Sequence, residues 1–156
     1  MKEIDFLSSI HKSTKRDYLG RVNNKKYPKA KAAELAKKFD YDYWDGDREI
    51  CYGGYKYIEG RWAPVAHALI KEYKLTNKSK ILDIGCGKGF LIYELKKLIP
   101  GAQISGLDIS QYAIEKSKEE IKENLIVGNA NNLPWEDDSF DLIISINTLH
   151  CLYSYD

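Results

Sequence analysis

Cysteine is scarce in this chain, and the three residues present are Cys51, Cys86 and Cys151. Their odd number and wide spacing favour free thiols, and they form no pair with metal-binding spacing. Long apolar runs are also missing, since none approaches the ~20 residues that a membrane-spanning helix needs. The first residues lack the apolar stretch and small-residue cleavage site of a secretory signal. These absences predict a protein of the reducing cytoplasm.

Acidic residues are few in the first 40 positions, although the whole chain of 156 residues has a net charge of only +1. Residues 1–40 hold eleven Lys and Arg against five Asp and Glu, which gives about +6 there and about −5 in the remainder. This segment could be a basic arm for an acidic partner such as RNA, or a solvated helical face. The second interpretation is favoured because no arginine-rich or aromatic-interleaved pattern accompanies the charge, so nucleic acid is not the expected partner.

Residues 1–60 form the first of two predicted regions, an N-terminal helical and aromatic extension. Within it, residues 27–39 have the composition of a helix, and Pro28 suits its first turn. Aromatic residues and glycines then crowd residues 40–60, which predicts an ordered loop that could include a short hairpin. The aromatic segment considered as a lid is residues 41–62. These aromatic side chains either pack as part of a subdomain or form a lid over a ligand, with Tyr52 and Tyr55 as the preferred lid residues.

Residues 61–156 form the second predicted region, in which strands alternate with helices. The predicted helices are residues 61–73, 90–99 and 111–121, the last capped by Ser110. The predicted strands are residues 81–84, 102–108, 125–129 and 141–146. Such alternation requires crossover connections and therefore a parallel sheet. The fold class is α/β, a Rossmann-like doubly wound sheet with strand order 3-2-1-4.

A glycine-rich turn follows the first strand, with the sequence Asp83-Ile-Gly85-Cys-Gly87-Lys-Gly89. Glycine is needed in a tight strand-to-helix turn because other residues disfavour the required backbone angles, and because a ligand must approach the main chain closely. Asp108 stands at the end of the second strand, 23 residues beyond Gly85. The carboxyl ends of parallel strands bind ligands, and a carboxylate there can accept both hydroxyl groups of a ribose. The pattern therefore predicts a nucleotide site.

The spacing of the glycines in this turn distinguishes a site for a dinucleotide from a site for S-adenosylmethionine. Dinucleotide-binding loops have the pattern Gly-x-Gly-x-x-Gly and hold a pyrophosphate at the helix N-terminus. Here an acid, Asp83, precedes three glycines at every second position. An acid at this point repels a pyrophosphate and suits the cationic sulfonium and ammonium groups of S-adenosylmethionine.

The chain resembles the class I S-adenosylmethionine-dependent methyltransferases, in particular the branch that methylates small molecules. Residues 81–90 are similar to the first motif of that family, residues 106–110 to the second, and residues 128–130 with 133–142 to the third and the approach to the fourth strand. The resemblance covers residues 60–153, and four motifs in the right order make it specific.

The resemblance implies S-adenosylmethionine as cofactor and direct methyl transfer without a metal. It implies cofactor contacts from nine residues: Asp83, Gly85, Cys86, Gly87, Asp108, Ile109, Asn129, Ala130 and Asn147. Asp83 would contact the amino group and Asp108 the ribose, while Asn129 and Ala130 would border the adenine. The family commonly has Asp at the position of Asn129, where the side chain accepts a bond from the adenine amino group.

His150 follows the fourth predicted strand and is the candidate catalytic residue. As a general base it could take a proton from the methyl acceptor, and the alternative is a partly buried structural histidine. The tetrapeptide Asn147-Thr-Leu-His150 replaces the Asn/Asp-Pro-Pro-Tyr/Phe motif of methyltransferases that act on exocyclic amino groups of bases. Its absence argues against a nucleobase amine as acceptor, and the resemblance to the small-molecule branch implies a small-molecule acceptor.

The resemblance also implies that the chain is truncated, because members of the family have seven strands and this sequence contains four. The fourth strand would then be an exposed apolar edge through which the chain could self-associate. Two other functions remain open: an inactive half-domain that binds a nucleotide or a partner, and an NAD-dependent oxidoreductase domain, against which the loop spacing argues.

Overall fold

The computed structural model describes residues 3–10 and 17–152, which divide into two compact units. The smaller unit comprises residues 17–57, and the larger comprises residues 3–10 together with 58–152. No helix within these ranges has the length and apolar character required to cross a membrane.

The smaller unit contains three short helices. They are α1 (Tyr18–Val22), α2 (Lys29–Ala36) and α3 (Tyr41–Trp44). The predicted helix over residues 27–39 is confirmed but shorter, because Pro28 is its N-cap and has an extended backbone. Residues 40–60 contain no hairpin strands, and α3 begins where the Asp40 carboxylate accepts a bond from the Tyr41 N–H group.

The aromatic side chains of the smaller unit pack on one another. Trp44 is buried and stacks on Tyr52, with ring centroids 5.3 Å apart and planes inclined by 1°. The ring centroid of Tyr55 lies 4.8 Å from that of Tyr52. One basic residue of this unit also has a partner within it: the Nζ atom of Lys26 lies 3.3 Å from the Oδ2 atom of Asp47. Packing within the unit accounts for these rings, and a lid role for Tyr52 and Tyr55 stays a prediction.

The larger unit contains a four-stranded parallel sheet. Its elements are α4 (Ala63–Tyr73), β1 (Lys80–Ile84), α5 (Phe90–Leu98), β2 (Gln103–Asp108), α6 (Gln111–Glu115), a 3₁₀ turn (Glu119–Asn124), β3 (Leu125–Val127), β4 (Leu142–Ile144) and a second 3₁₀ turn (Leu149–Cys151). The strand order is β3-β2-β1-β4, which confirms the predicted order and the α/β class. Consecutive parallel strands need a crossover connection, because the end of one strand and the start of the next lie at opposite edges of the sheet.

Two apolar clusters cover the faces of the sheet. The larger joins α4 and α5 to the strands through fully buried side chains such as Val65, Leu95 and Ile104. The smaller is formed by Leu82, Ile84 and Leu107, against which Ala130, Trp135 and Phe140 pack. Alternation along β1 therefore directs Leu82 and Ile84 to one face, and Ile81 and Asp83 to the helix-covered face.

The predicted helix over residues 111–121 was wrong in its length. Ser110 caps it as expected, with its hydroxyl accepting a bond from the Ala113 N–H group at 3.0 Å. The helix ends at Glu115, because both the backbone N–H and the hydroxyl of Ser117 donate to the Ile114 carbonyl. Such local side-chain bonds compete with helix continuation.

Candidate cofactor site at the carboxyl ends of β1 and β2

The glycine-rich turn is held against the end of the neighbouring strand. The N–H groups of Gly85 and Cys86 donate to the same carbonyl, that of Leu107, at 2.7 and 3.2 Å. The register of β1 on β2 pairs Asp83 with Gly106 and Ile84 with Leu107, so the turn begins beside the end of β2. The tertiary structure thus brings together the two sequence motifs predicted to hold the cofactor.

All three glycines of the turn have left-handed backbone angles, with φ of 76° at Gly85, 57° at Gly87 and 71° at Gly89. Residues with a Cβ atom adopt this region at a cost of about 1–2 kcal/mol, which is why the turn uses glycine. Gly85 has a second reason to be glycine, because a Cβ atom there would clash with Thr148, at 2.5 Å from its Cγ2 atom. The predicted demand of this turn for glycine is confirmed.

Asp108 binds the turn directly. Its Oδ2 atom accepts a bond from the Gly87 N–H group at 2.7 Å, and its Oδ1 atom accepts one from the Ser110 N–H group at 2.8 Å. The sequence predicted a ribose contact for this carboxylate and missed its contact with the turn. Each carboxylate oxygen has a further lone pair, so both functions are compatible. Burial raises the pKa of Asp108, and the two N–H groups oppose that rise.

Asp83 is a buried carboxylate without a compensating partner. Its side chain is 5% exposed, and no donor or cation in the described ranges is paired with it. Burial, and secondarily the negative charge of Asp108, raises its pKa to about 7. A buried unpaired charge is costly, and a bound cation would remove that cost. Asp83 therefore fits a cationic group such as the ammonium of S-adenosylmethionine, and two neighbouring acids do not fit a pyrophosphate.

Cys86 contributes its backbone to the turn, and its thiol is unsuited to nucleophilic chemistry. Burial raises the pKa of the thiol well above its usual range, and the carboxylates of Asp83 and Asp108 add to the effect. Thiolate formation is therefore suppressed, whereas reactive cysteines need a lowered pKa. Its Sγ atom lies against Gly106, where a Cβ atom would approach it to 2.8 Å. Cys86 fills space between the turn and β2.

The residues predicted to border the nucleoside follow β2 and β3. Ile109 is 51% exposed directly after Asp108, and Ala130 is half-buried against the smaller apolar cluster. The N–H group of Gly128 donates to the Asp108 carbonyl at 2.9 Å, which keeps the start of this loop beside the end of β2. Asn129 is exposed, and its Oδ1 atom already accepts a bond from the Asn131 N–H group at 2.9 Å. That oxygen retains one lone pair for an adenine amino group.

The segment after β4 supplies the last predicted contacts. Asn147 is exposed and has a left-handed backbone with φ of 57°. The side chain of His150 lies outside the described part of the structure, so its role as a general base stays a prediction. Thr148, which the sequence did not single out, contacts Gly85. Only the tertiary contact reveals it, since an isolated threonine in a loop carries no sequence signal.

Comparison with known proteins shows the family to which the chain belongs. The family model described as "Methyltransferase domain" matches residues 75–156, which is more than half of the chain. The chain belongs to the class I S-adenosylmethionine-dependent methyltransferases. The matched residues include the glycine-rich turn, Asp108 and all four strands of this methyltransferase domain.

Two curated relatives and one solved structure show how far the similarity extends. A demethylmenaquinone methyltransferase of Thermotoga maritima is 34% identical over 110 residues, which are 70% of this chain and 43% of the relative. A ribosomal RNA small subunit methyltransferase C of Haemophilus influenzae is 38% identical over 76 residues, which are 47% of this chain and 23% of the relative. The methyltransferase domain therefore spans less than half the length of these relatives.

The solved structure shows the shared fold. A crystal structure assigned to an S-adenosylmethionine-dependent methyltransferase of Methanococcus maripaludis superposes with a TM-score of 0.54 at 23% identity. The superposition covers 85% of this methyltransferase chain and 56% of the other chain.

Proposed function

We propose that the chain binds S-adenosylmethionine at the carboxyl ends of β1 and β2 and takes part in methyl transfer to a small-molecule acceptor. The observation that carries the proposal is the buried carboxylate of Asp83, which has no partner within the described part of the chain and lies beside a glycine-rich turn that Asp108 holds in place. When bound, the cofactor would supply an electrophilic methyl group on its sulfonium: the acceptor atom would bond to that carbon as the carbon–sulfur bond breaks, with the neutral thioether S-adenosylhomocysteine as the leaving group.

The residues of the chain would act by positioning and by charge. Asp83 would pair with the ammonium group, and the second lone pairs of Asp108 would accept the ribose hydroxyls. Gly85 and Gly87 would allow the amino-acid and ribose parts of the cofactor to lie against the main chain, and Asn147 would border the methyl donor. Holding donor and acceptor in near-attack geometry can supply most of the rate enhancement in such a displacement. His150 would add general-base catalysis where the acceptor must lose a proton.

A small-molecule acceptor is favoured over a nucleobase. The residues after β4 are Asn147-Thr-Leu-His150, in place of the Pro-Pro motif of methyltransferases that act on exocyclic amino groups. The Thermotoga relative is named for demethylmenaquinone, which points to a quinone acceptor. The Haemophilus relative is named for ribosomal RNA, so RNA belongs in the assay as the competing acceptor.

The function is tested by calorimetry followed by an acceptor screen. We expect the chain to bind S-adenosylhomocysteine and not NAD, and the labelled methyl group of S-adenosylmethionine to appear on a compound from a panel of phenols, quinols and carboxylic acids. Tight binding of NAD without binding of S-adenosylhomocysteine would overturn the assignment. Binding without transfer to any acceptor, including small-subunit RNA, would favour an inactive binding half-domain.

We further propose that this chain self-associates through β4. The strand lies at one edge of the described sheet and pairs only with β1, and Ile143 is 55% exposed. An apolar edge of this kind pairs readily with another strand. We expect Ile143→Lys to lower the dimer fraction in sedimentation velocity, whereas Ile126→Lys, on the opposite edge strand β3, leaves it unchanged. A wild-type chain that sediments only as monomer at all concentrations would refute the proposal.

A further inference from the structure

Thr148 occupies the space that a side chain at position 85 would fill. A Cβ atom built on Gly85 would lie 2.5 and 2.6 Å from the Cγ2 and Cβ atoms of Thr148, and closer still to its hydroxyl oxygen. Both branches of the threonine side chain therefore contact the Cα side of Gly85.

The position of Thr148 is fixed by its own segment. Its hydroxyl donates to the Ile146 carbonyl at 3.2 Å, and its carbonyl accepts a bond from the Cys151 N–H group at 2.9 Å. The left-handed backbone of Asn147 makes the reversal between these two bonds possible. A β-branched side chain with one branch hydrogen-bonded has little rotamer freedom. Thr148 is thus a rigid contact.

The topology explains why these two residues meet. β4 pairs with β1 at Ile81, Leu82 and Asp83, so the segment that follows β4 emerges beside the glycine-rich turn that follows β1. The contact of Gly85 with Thr148 joins two walls of the proposed cofactor site, the turn and the segment that carries Asn147.

We propose that Thr148 is a positioning residue, which holds the main chain at Gly85 in the conformation that binds the amino-acid part of the cofactor. This inference rests on the proposed function. A smaller side chain at position 148 would let the turn and the post-β4 segment move independently. Part of the binding energy would then be used to order them.

The experiment measures binding of two ligands to the full chain by calorimetry: S-adenosylhomocysteine, and 5′-methylthioadenosine, which lacks the amino-acid part. We expect Thr148→Ala to weaken S-adenosylhomocysteine binding about 10-fold and 5′-methylthioadenosine binding less than 3-fold, since the proposal places Gly85 against the amino-acid part, which 5′-methylthioadenosine lacks. Thr148→Val, which keeps the branched shape, should restore most of the affinity. Thr76→Ala, an exposed threonine before β1, is the matched control and should change neither affinity.

A double-mutant cycle completes the test. Gly85→Ala alone should weaken S-adenosylhomocysteine binding at least 100-fold, and the Gly85→Ala/Thr148→Ala double variant should lose less than the product of the two single effects, because the smaller side chain admits the new methyl group. Equal losses for both ligands, or unchanged affinity in Thr148→Ala, would overturn the positioning role. If Gly85→Ala fails to fold, the ligand comparison in the Thr148 variants decides alone. Absence of S-adenosylhomocysteine binding in the wild-type chain would refute the proposed function instead.

Discussion

Asp108→Asn is expected to weaken S-adenosylhomocysteine binding about 100-fold or more, and to destabilise the free chain by about 1–3 kcal/mol. The carboxylate accepts bonds from the N–H groups of Gly87 and Ser110, one at each oxygen. An amide replaces one acceptor by a donor, so one buried N–H group would face an NH₂ group. The ribose would lose an acceptor at the same time. Calorimetry and urea unfolding would measure the two effects.

Asp141→Asn is the matched control for this variant. The Asp141 carboxylate also accepts a bond from a backbone N–H group, that of Lys80 at 2.8 Å, but at the opposite end of β1. Loss of that exposed bond should cost less than about 1 kcal/mol and leave the affinity unchanged. If both variants bind S-adenosylhomocysteine as the wild type does, Asp108 contributes nothing to the site.

Binding of S-adenosylhomocysteine should weaken about 10-fold as the pH falls from 7.5 to 6, because a carboxyl group with a pKa near 7 becomes protonated over that range. Neutral Asp83 cannot pair with an ammonium group. The stability of the ligand-free chain depends on pH in the opposite direction to the affinity. The folded state binds more protons than the unfolded state between about pH 4 and pH 7, because the pKa of Asp83 is raised from 3.8 to about 7. The contribution of Asp83 to stability therefore falls as the pH rises through that window.

The Asp83→Asn variant tests whether the pH dependence of binding comes from Asp83 or from another titrating group. The variant should bind about 10–100-fold more weakly at pH 7.5, should show no pH dependence between pH 6 and 7.5, and should be more stable than the wild type at pH 7.5 when free of ligand. Binding of 5′-methylthioadenosine, which has no ammonium group, should be nearly independent of pH in both proteins. A wild-type affinity for S-adenosylhomocysteine that stays constant from pH 6 to 7.5 would contradict the pairing with Asp83.

The core of this fold was predictable because its signals are local. Residues 81–90 encode an apolar strand, a turn that only glycine allows and the start of a helix, each through neighbours in the sequence. The parallel sheet and its order followed from strand and helix alternation and the family resemblance, and both are confirmed. Element ends were less accurate: the third strand stops at Val127 and the fourth at Ile144, each two residues early. Hydrophobicity marks which residues are buried, whereas pairing to a neighbouring strand decides where a strand ends.

The sequence by itself determined the α/β class, the glycine-rich turn and the acids predicted to hold a cationic nucleotide, because residue type and short-range spacing limit the backbone. The tertiary structure alone decided what those acids contact. Among the residues that the structure describes, it left the Asp83 carboxylate unpaired, bonded Asp108 to Gly87, 21 residues away in the sequence, and placed Thr148 against Gly85. These contacts depend on the register of β1 with β2 and β4, and register is set by packing across the whole sheet.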